Sequence, residues 1–281
     1  GVRLVGSEMC IRDSSKADLS PHTDIKFGFY TILLSECKCE AYAYGHQCCD
    51  FSDGTLVCLT PGESISMKEN NKEFPSKGWI LAFHPDLICG TPLGFNIHNY
   101  TFFSYCPEEA LHLSLREKQI ILEFLERIRQ ELERCIDRHS KKIISKYIEL
   151  LLDYCTRFYE RQFITRSEGN KKVFREFNHL LDNHFNVKVS LSTDVLSDEY
   201  CANLLHLSPA YFNDLLKYEI GKEFKEYIQF KRFEIAKGWL VNTDKTIGQI
   251  AQELGFSNSQ YFSRLFKKIT GCSPNEFRMP N

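Results

Sequence analysis

The chain predicts an α+β fold. It opens with a small β-barrel or double-sheet roll, continues as a helical hairpin, and ends in an all-α region of two helix-turn-helix units joined by a helix. Three observations predict it. Short apolar runs broken by Gly, Pro and Asp-Gly turns fill residues 20–105. Residues 114–163 keep a helical apolar period. The last hundred or so residues carry one pattern twice: Tyr211-Phe212-Asn213-Asp214-Leu215-Leu216-Lys217 returns fifty residues later as Tyr261-Phe262-Ser263-Arg264-Leu265-Phe266-Lys267. A glycine follows each copy (Gly221, Gly271), then an acidic-aromatic pair (Glu226-Tyr227, Glu276-Phe277). Such a repeat is one supersecondary unit used twice.

Residues 1–19 are expected to form a non-native or disordered leader. The string Val5 to Asp13 is similar to translated sequencing-adapter read-through, and Gly1 to Ser14 is excluded from fold reasoning. Residues 20–113 are the expected barrel, with strand-like runs at Phe27–Leu34, Cys39–Tyr44, Thr55–Leu59 and Gly78–Phe83. Phe29, Tyr42, Tyr44, Phe51, Trp79 and Phe83 would line it. They either fill the core, as in most small barrels, or leave room for an apolar or aromatic effector.

Ser114 and Glu117 form a capping box that opens a helix to Cys135, with Ile120, Ile121, Phe124, Leu125, Ile128 and Leu132 as its apolar stripe. A second helix starts near Ser140. The hairpin is placed at 114–165, a polar linker at 166–172 and the repeat-bearing C-terminal domain at 173–281.

In the second copy, Ile247, Ile250, Ala251 and Leu254 fall on one helix face, Thr246 and Gln249 cap it, and Gly255 ends it. Ser257 or Asn258 caps the next helix, which buries Phe262, Leu265 and Phe266. Ser259, Gln260, Ser263, Arg264 and Lys267 then face outward. Gln pairs with adenine edges, Arg with guanine, and Lys and Ser hold phosphates, so duplex DNA is the natural ligand. In the first copy Ala202 and Phe212 are core, His206 stands at the turn without a glycine, and Pro209 opens the following helix. Its outward residues are Ala210, Asn213, Asp214 and Lys217, with Tyr211 among the DNA-facing candidates. Asp214 stands where the second copy has Arg264; a carboxylate accepts from cytosine but is repelled by phosphates. Between the copies, Lys222 to Leu240 reads as a helix of about 28 Å, a spacer for two recognition helices about one DNA turn apart.

Ile250-Ala251, Gly255-Phe256, Tyr261-Phe262, Phe266-Lys267, Gly271, Ser273-Pro274 and Glu276-Phe277-Arg278 resemble the signature of the AraC/XylS family of bacterial transcription regulators. The resemblance covers about residues 172–279. It implies two helix-turn-helix subdomains joined by a helix, with base-contacting positions at Ser259, Gln260, Ser263 and Arg264 and at Ala210, Asn213 and Asp214. It further implies a cupin-like sensory barrel, a hairpin that makes a homodimer, a small-molecule effector, and promoter or operator DNA and RNA polymerase as partners. Ala210 and Asp214 depart from the large or basic residues often found there.

Net charge is −2; residues 171–281 hold 15 Lys+Arg against 13 Asp+Glu, leaving 20 against 24 elsewhere. The balance leans toward DNA only weakly, and a local stripe of Arg264, Lys267 and Lys268 matters more. Twelve cysteines in a chain without a secretory signal argue for a reduced, cytoplasmic setting. Cys37-Lys38-Cys39 and Cys48-Cys49 lack the two-residue gap of a zinc or redox site. His22, His46, His84 and His98 do not form a metal-binding cupin set, so neither catalysis nor a metal or other cofactor is expected. No apolar run reaches membrane-spanning length. The leading reading is an effector-responsive, site-specific DNA-binding regulator. The alternatives are a constitutive DNA binder whose barrel only dimerises, and a cupin-type enzyme with a DNA-binding tail.

Overall fold

The computed structural model describes residues 3–4, 9–13, 25–26, 28–35, 47, 49–65, 78–187 and 196–279, without the side chains of residues before 28, 64–65 and 186–187. The chain folds as two units: Gly1–Asn170 with Leu207–Tyr211, and Lys171–His206 with Phe212–Asn281.

The first unit is built on an antiparallel sheet. Its strands are β1 (Arg3–Leu4), β2 (Met9–Asp13), β4 (Tyr30–Ser35), β5 (Gly54–Leu59), β7 (Gly78–Phe83) and β8 (Leu111–Leu113), in the order β1-β2-β7-β4-β5-β8; β3 (Ile25–Lys26) and β6 (Ser64–Ile65) form a separate two-stranded ladder. Among the described residues the main sheet is open, with four strands, β7-β4-β5-β8, carrying described side chains. A closed barrel is not seen there. The expected strand run Cys39–Tyr44 lies outside the described residues. The leader, expected to stand apart, supplies β1 and β2, and Met9–Asp13 pairs antiparallel to β7.

The central strands are apolar on both faces, because both faces are covered. Leu33, Val57, Leu59 and Ala110 pack with Ile80 on one side. Ile32, Leu34, Leu56, Cys58 and Leu81 alternate onto the other and are buried too. After β7 come α1 (Pro85–Ile88) and α2 (Pro92–Asn96), each opened by a proline at its first position. His84 caps α1, its Nδ1 accepting from the Asp86 amide at 3.2 Å.

The hairpin is α3 (Leu115–Glu133) and α4 (Ser140–Thr165). The Ser114/Glu117 capping box opens α3, and Ile121, Leu125, Ile128 and Leu132 are its buried stripe. Of the wider stripe expected, Ile120 and Phe124 are only half-buried. Gln162 of α4 covers the edge strand β8: its carbonyl accepts from His112 N at 2.8 Å and its amide donates to Ala110 O at 3.0 Å. Arg166 forks onto Asp50 at 2.9 and 2.6 Å. Burial opposes ionisation of Asp50, yet the Arg166 bonds and charge hold its carboxyl below the usual range.

Residues 166–172, expected as a polar linker, are helical from Ser167 onward, because α5 spans Ser167–Val187. The second unit continues with α6 (Asp198–Leu204), α7 (Pro209–Ile220), α8 (Phe224–Asn242), α9 (Ile247–Glu253), α10 (Ser259–Thr270) and α11 (Pro274–Arg278); Pro209–Tyr211 of α7 group with the first unit. Phe177 of α5 packs edge-on to Phe212, 5.0 Å between centroids, and the Tyr227 hydroxyl donates to Asn178 Oδ1 at 2.6 Å. No described helix is long and apolar enough to cross a membrane.

Candidate DNA-binding face

The second helix-turn-helix is built by local chemistry at each step. Thr246 caps α9 by accepting from the Gln249 amide at 3.2 Å, and the Gln249 side chain closes the box by accepting from the Thr246 amide at 2.8 Å. Ile250, Ala251 and Leu254 are buried, and Ile247 is half-buried at the rim. Gly255 takes φ +75°, and the Phe256 amide reaches back to Ala251 O at 2.9 Å, closing the turn as a left-handed helix stop. Of the two caps the sequence allows, Asn258 is used: its side chain accepts from the Tyr261 amide at 2.6 Å. Phe262 and Phe266 are fully buried against Phe233 of α8, with centroids 6.0 and 6.1 Å away. Gly271, at φ +85°, ends α10.

That anchoring leaves Ser259, Gln260, Arg264, Lys267 and Lys268 exposed and Ser263 half-buried. The Ser263 hydroxyl donates to Ser259 O at 2.8 Å, so it offers a ligand only its lone pairs. Arg264 lies 6.0 Å from the Tyr261 ring centroid, which steadies a guanidinium still open to solvent.

The first helix-turn-helix uses different means. Ser197 caps α6 by accepting from the Tyr200 amide at 3.0 Å, and Cys201 and Ala202 are buried. The turn is made by His206 at φ +56°, the one non-glycine with positive φ among the described residues. Ser208 then caps α7 while donating to the buried Glu109 at 2.5 Å. Phe212 is fully buried, Ala210, Asn213 and Asp214 are half-buried, and Lys217 is exposed. Asn213 donates to Asp198 Oδ2 at 2.9 Å. Tyr211, expected to face DNA, is buried: Tyr105 and Phe163 lie 5.1 and 5.2 Å away between centroids, and Arg166 donates to its phenol oxygen. Its aromatic body and one good donor make that enclosure favourable.

The effector-pocket candidates are scattered in role. Phe83 is fully buried and stacks on Tyr30, Phe29 sits edge-on to His84, and Trp79 is half-buried. Phe51 is exposed under Arg161. Tyr42 and Tyr44 lie outside the described residues, as do His22, His46 and Cys37–Cys39. The described cysteines are free thiols, and among the described residues no group of three or more His, Cys, Asp or Glu is placed to hold a metal.

Two residues of the second unit have structural roles that the sequence does not indicate. Arg278 donates to Leu240 O at 3.2 Å and to Lys245 O, tying α11 to the end of α8. Arg232 of α8 lies half-buried beside the Phe256 ring. A cation inside the apolar period of α8 was the available signal for it.

A family profile described as a helix-turn-helix domain matches residues 201–279. The arabinose operon regulatory protein of Salmonella typhimurium is 33% identical over 101 residues, 36% of this chain and 32% of that protein. The C-terminal region belongs to the AraC/XylS family. Residues 201–279 carry its helix-turn-helix domain. A longer match is to the uncharacterized HTH-type transcriptional regulator YijO of Escherichia coli, 24% identical over 80% of this chain and 76% of that one. The uncharacterized HTH-type transcriptional regulator YtdP of Bacillus subtilis is 33% identical over 109 residues, 39% of this chain but only 14% of that protein. The solved C-terminal domain of AraT, a response regulator from Geobacillus stearothermophilus, is 32% identical over 38% of this chain and 83% of that one, with a TM-score of 0.32.

Proposed function

We propose that this regulator is effector-responsive and reads its operator chiefly through α10, with α7 positioning it. One observation carries the reading: Phe262 and Phe266 fix α10 from behind while Gln260 and Arg264 stand exposed on its other side. That is the arrangement in which a helix offers one amide and one guanidinium to base edges. In α7 the comparable positions are half-buried, and Asn213 is already bonded. Selection of bound duplexes from a random pool tests this. A consensus with one strongly specified major-groove stretch and a weaker one beside it is expected; two equally strong stretches would overturn the division of labour.

The N-terminal domain is the proposed sensor. Its packed aromatics favour an effector site elsewhere than among Phe29 and Phe83. A cleft of about 410 Å³ beside α4, lined by Arg138, Lys141, Lys142 and Lys146 with Glu149, suits a small carboxylate or phosphate. Ile143 and Leu150 are exposed seven residues apart on α4 and support a homodimer through the hairpin. RNA polymerase is the machinery a promoter-bound regulator would act on. A constitutive binder would show no shift in thermal stability or DNA affinity with any small anion, because linkage requires differential binding.

A further inference from the structure

We infer that Arg232, with Lys225 on the same cleft, seats one DNA backbone phosphate between the two recognition helices. The inference rests on the DNA-binding reading and adds a contact outside both helix-turn-helix reading faces.

The starting point is an unbalanced charge. Arg232 Nε is buried with no hydrogen-bond partner. No carboxylate pairs with the guanidinium among the described residues; the group lies 5.9 Å from the Phe256 ring centroid. Burial holds its pKa below the ordinary arginine value. The first unit treats its buried guanidinium differently, closing Arg166 onto Asp50 through two hydrogen bonds. A partly desolvated cation without an anion is destabilising unless it serves a ligand.

The surroundings indicate the anion. Arg232 opens onto a cleft of about 500 Å³, lined also by Ser197, Asp198, Lys225, Gln229, Ser257 and Tyr261. One rim is the start of α6, where Asp198 is held by Asn213 of α7. The other rim is the turn into α10, where Tyr261 lies under Arg264. The cleft thus lies between the two faces expected to enter the groove. Two cations, two hydroxyl-bearing residues from the turn and α10, and an amide suit a tetrahedral phosphodiester. The one carboxylate, Asp198, is already engaged by the Asn213 amide, which lessens its repulsion.

The test is the salt dependence of duplex binding by the full chain, read by fluorescence anisotropy on selected and random DNA. Arg232→Gln is expected to lower the log–log salt slope by about one and to weaken both duplexes by on the order of tenfold. Thermal stability should be unchanged or raised, since an unpaired buried charge is removed. A wild-type slope in Arg232→Gln overturns the inference alone. A wild-type chain that binds no duplex overturns the DNA-binding reading with it. If Arg232→Gln does not fold, ethylation interference on the wild-type complex reads the same contact: one sensitive phosphate is expected between the two groove contacts, and none there overturns the proposal. Lys225→Gln, at an exposed position, should lower the slope in the same direction. Inorganic phosphate that stabilises wild type but not Arg232→Gln, with equal DNA slopes, would mark a free-anion site and overturn the DNA assignment.

Discussion

Tyr211 and Tyr261 open the same repeated string, yet one is 4% exposed and the other 42%. The two helix-turn-helix units share a plan and differ in almost every device that carries it out. The second has a reciprocal capping box, a glycine turn and an asparagine cap, and none of these devices uses a residue of the reading face. The first turns on a histidine, caps α7 with a serine that also serves Glu109, and commits Asn213 to Asp198. The difference teaches that a repeat conserves its skeleton cheaply and its reading face only where the outward groups are left uncommitted. A helix whose polar side chains are already bonded locally must break those bonds before it can read a base.

The largest expected effects test whether the skeletons are equivalent. Phe262→Ala and Phe212→Ala each empty a fully buried site behind a recognition helix, and each should cost about 3–5 kcal/mol of stability, measured by urea unfolding. Matching losses would support a shared skeleton. A loss below about 1.5 kcal/mol in one copy alone would show that this copy repacks and that the symmetry is superficial.

Next comes the reading face. Arg264→Ala should cost roughly 1–3 kcal/mol of operator affinity and relax preference at one base pair. The check is binding to the operator beside variants substituted at each position. Equal losses on specific and random DNA would make Arg264 a phosphate contact and remove the main asymmetry between the copies.

The turns give a smaller and opposite pair. Gly255 sits at φ +75° and His206 at φ +56°. Gly255→Ala forces a Cβ into the left-handed region and should cost about 1–2 kcal/mol. His206→Gly removes that strain but adds unfolded-state freedom, so it should gain at most about 1 kcal/mol. Thermal melts decide; destabilisation by more than about 1 kcal/mol in His206→Gly, beyond glycine's added unfolded-state freedom, would mean the imidazole makes a contact worth more than the strain.

Much of this was legible in the residues. Thr246/Gln249, Ser114/Glu117 and the apolar face of α10 act within one or two helical turns, and local pattern captures them. The choice of Asn258 over Ser257, by contrast, depends on where the turn leaves each side chain. Long-range effects were not legible. Nothing around Tyr211 in the string separates it from Tyr261, because its enclosure comes from Tyr105 and Phe163, distant in sequence. Arg166 and Asn170 looked like polar linker residues and are buried, Arg166 by its pairing with Asp50. The Met9–Asp13 strand is not legible because its string resembles adapter read-through, while β7 offers it an open edge.

Asp214 gives the smallest expected effect and the sharpest test of the division between copies. It occupies the position of Arg264 in the first copy and is half-buried on α7. In the proposed DNA complex its carboxylate would meet phosphates, so removing it would relieve repulsion at the same time as it removed a potential acceptor for cytosine. These act in opposite directions, and Asp214→Ala should change operator affinity by less than about 0.5 kcal/mol, with a slight gain on random DNA at low salt. The measurement is the ratio of specific to random affinity at two salt concentrations. A tenfold fall in that ratio would show that α7 reads a base through Asp214, and the first unit would then be a second reader whose half-buried face opens on binding.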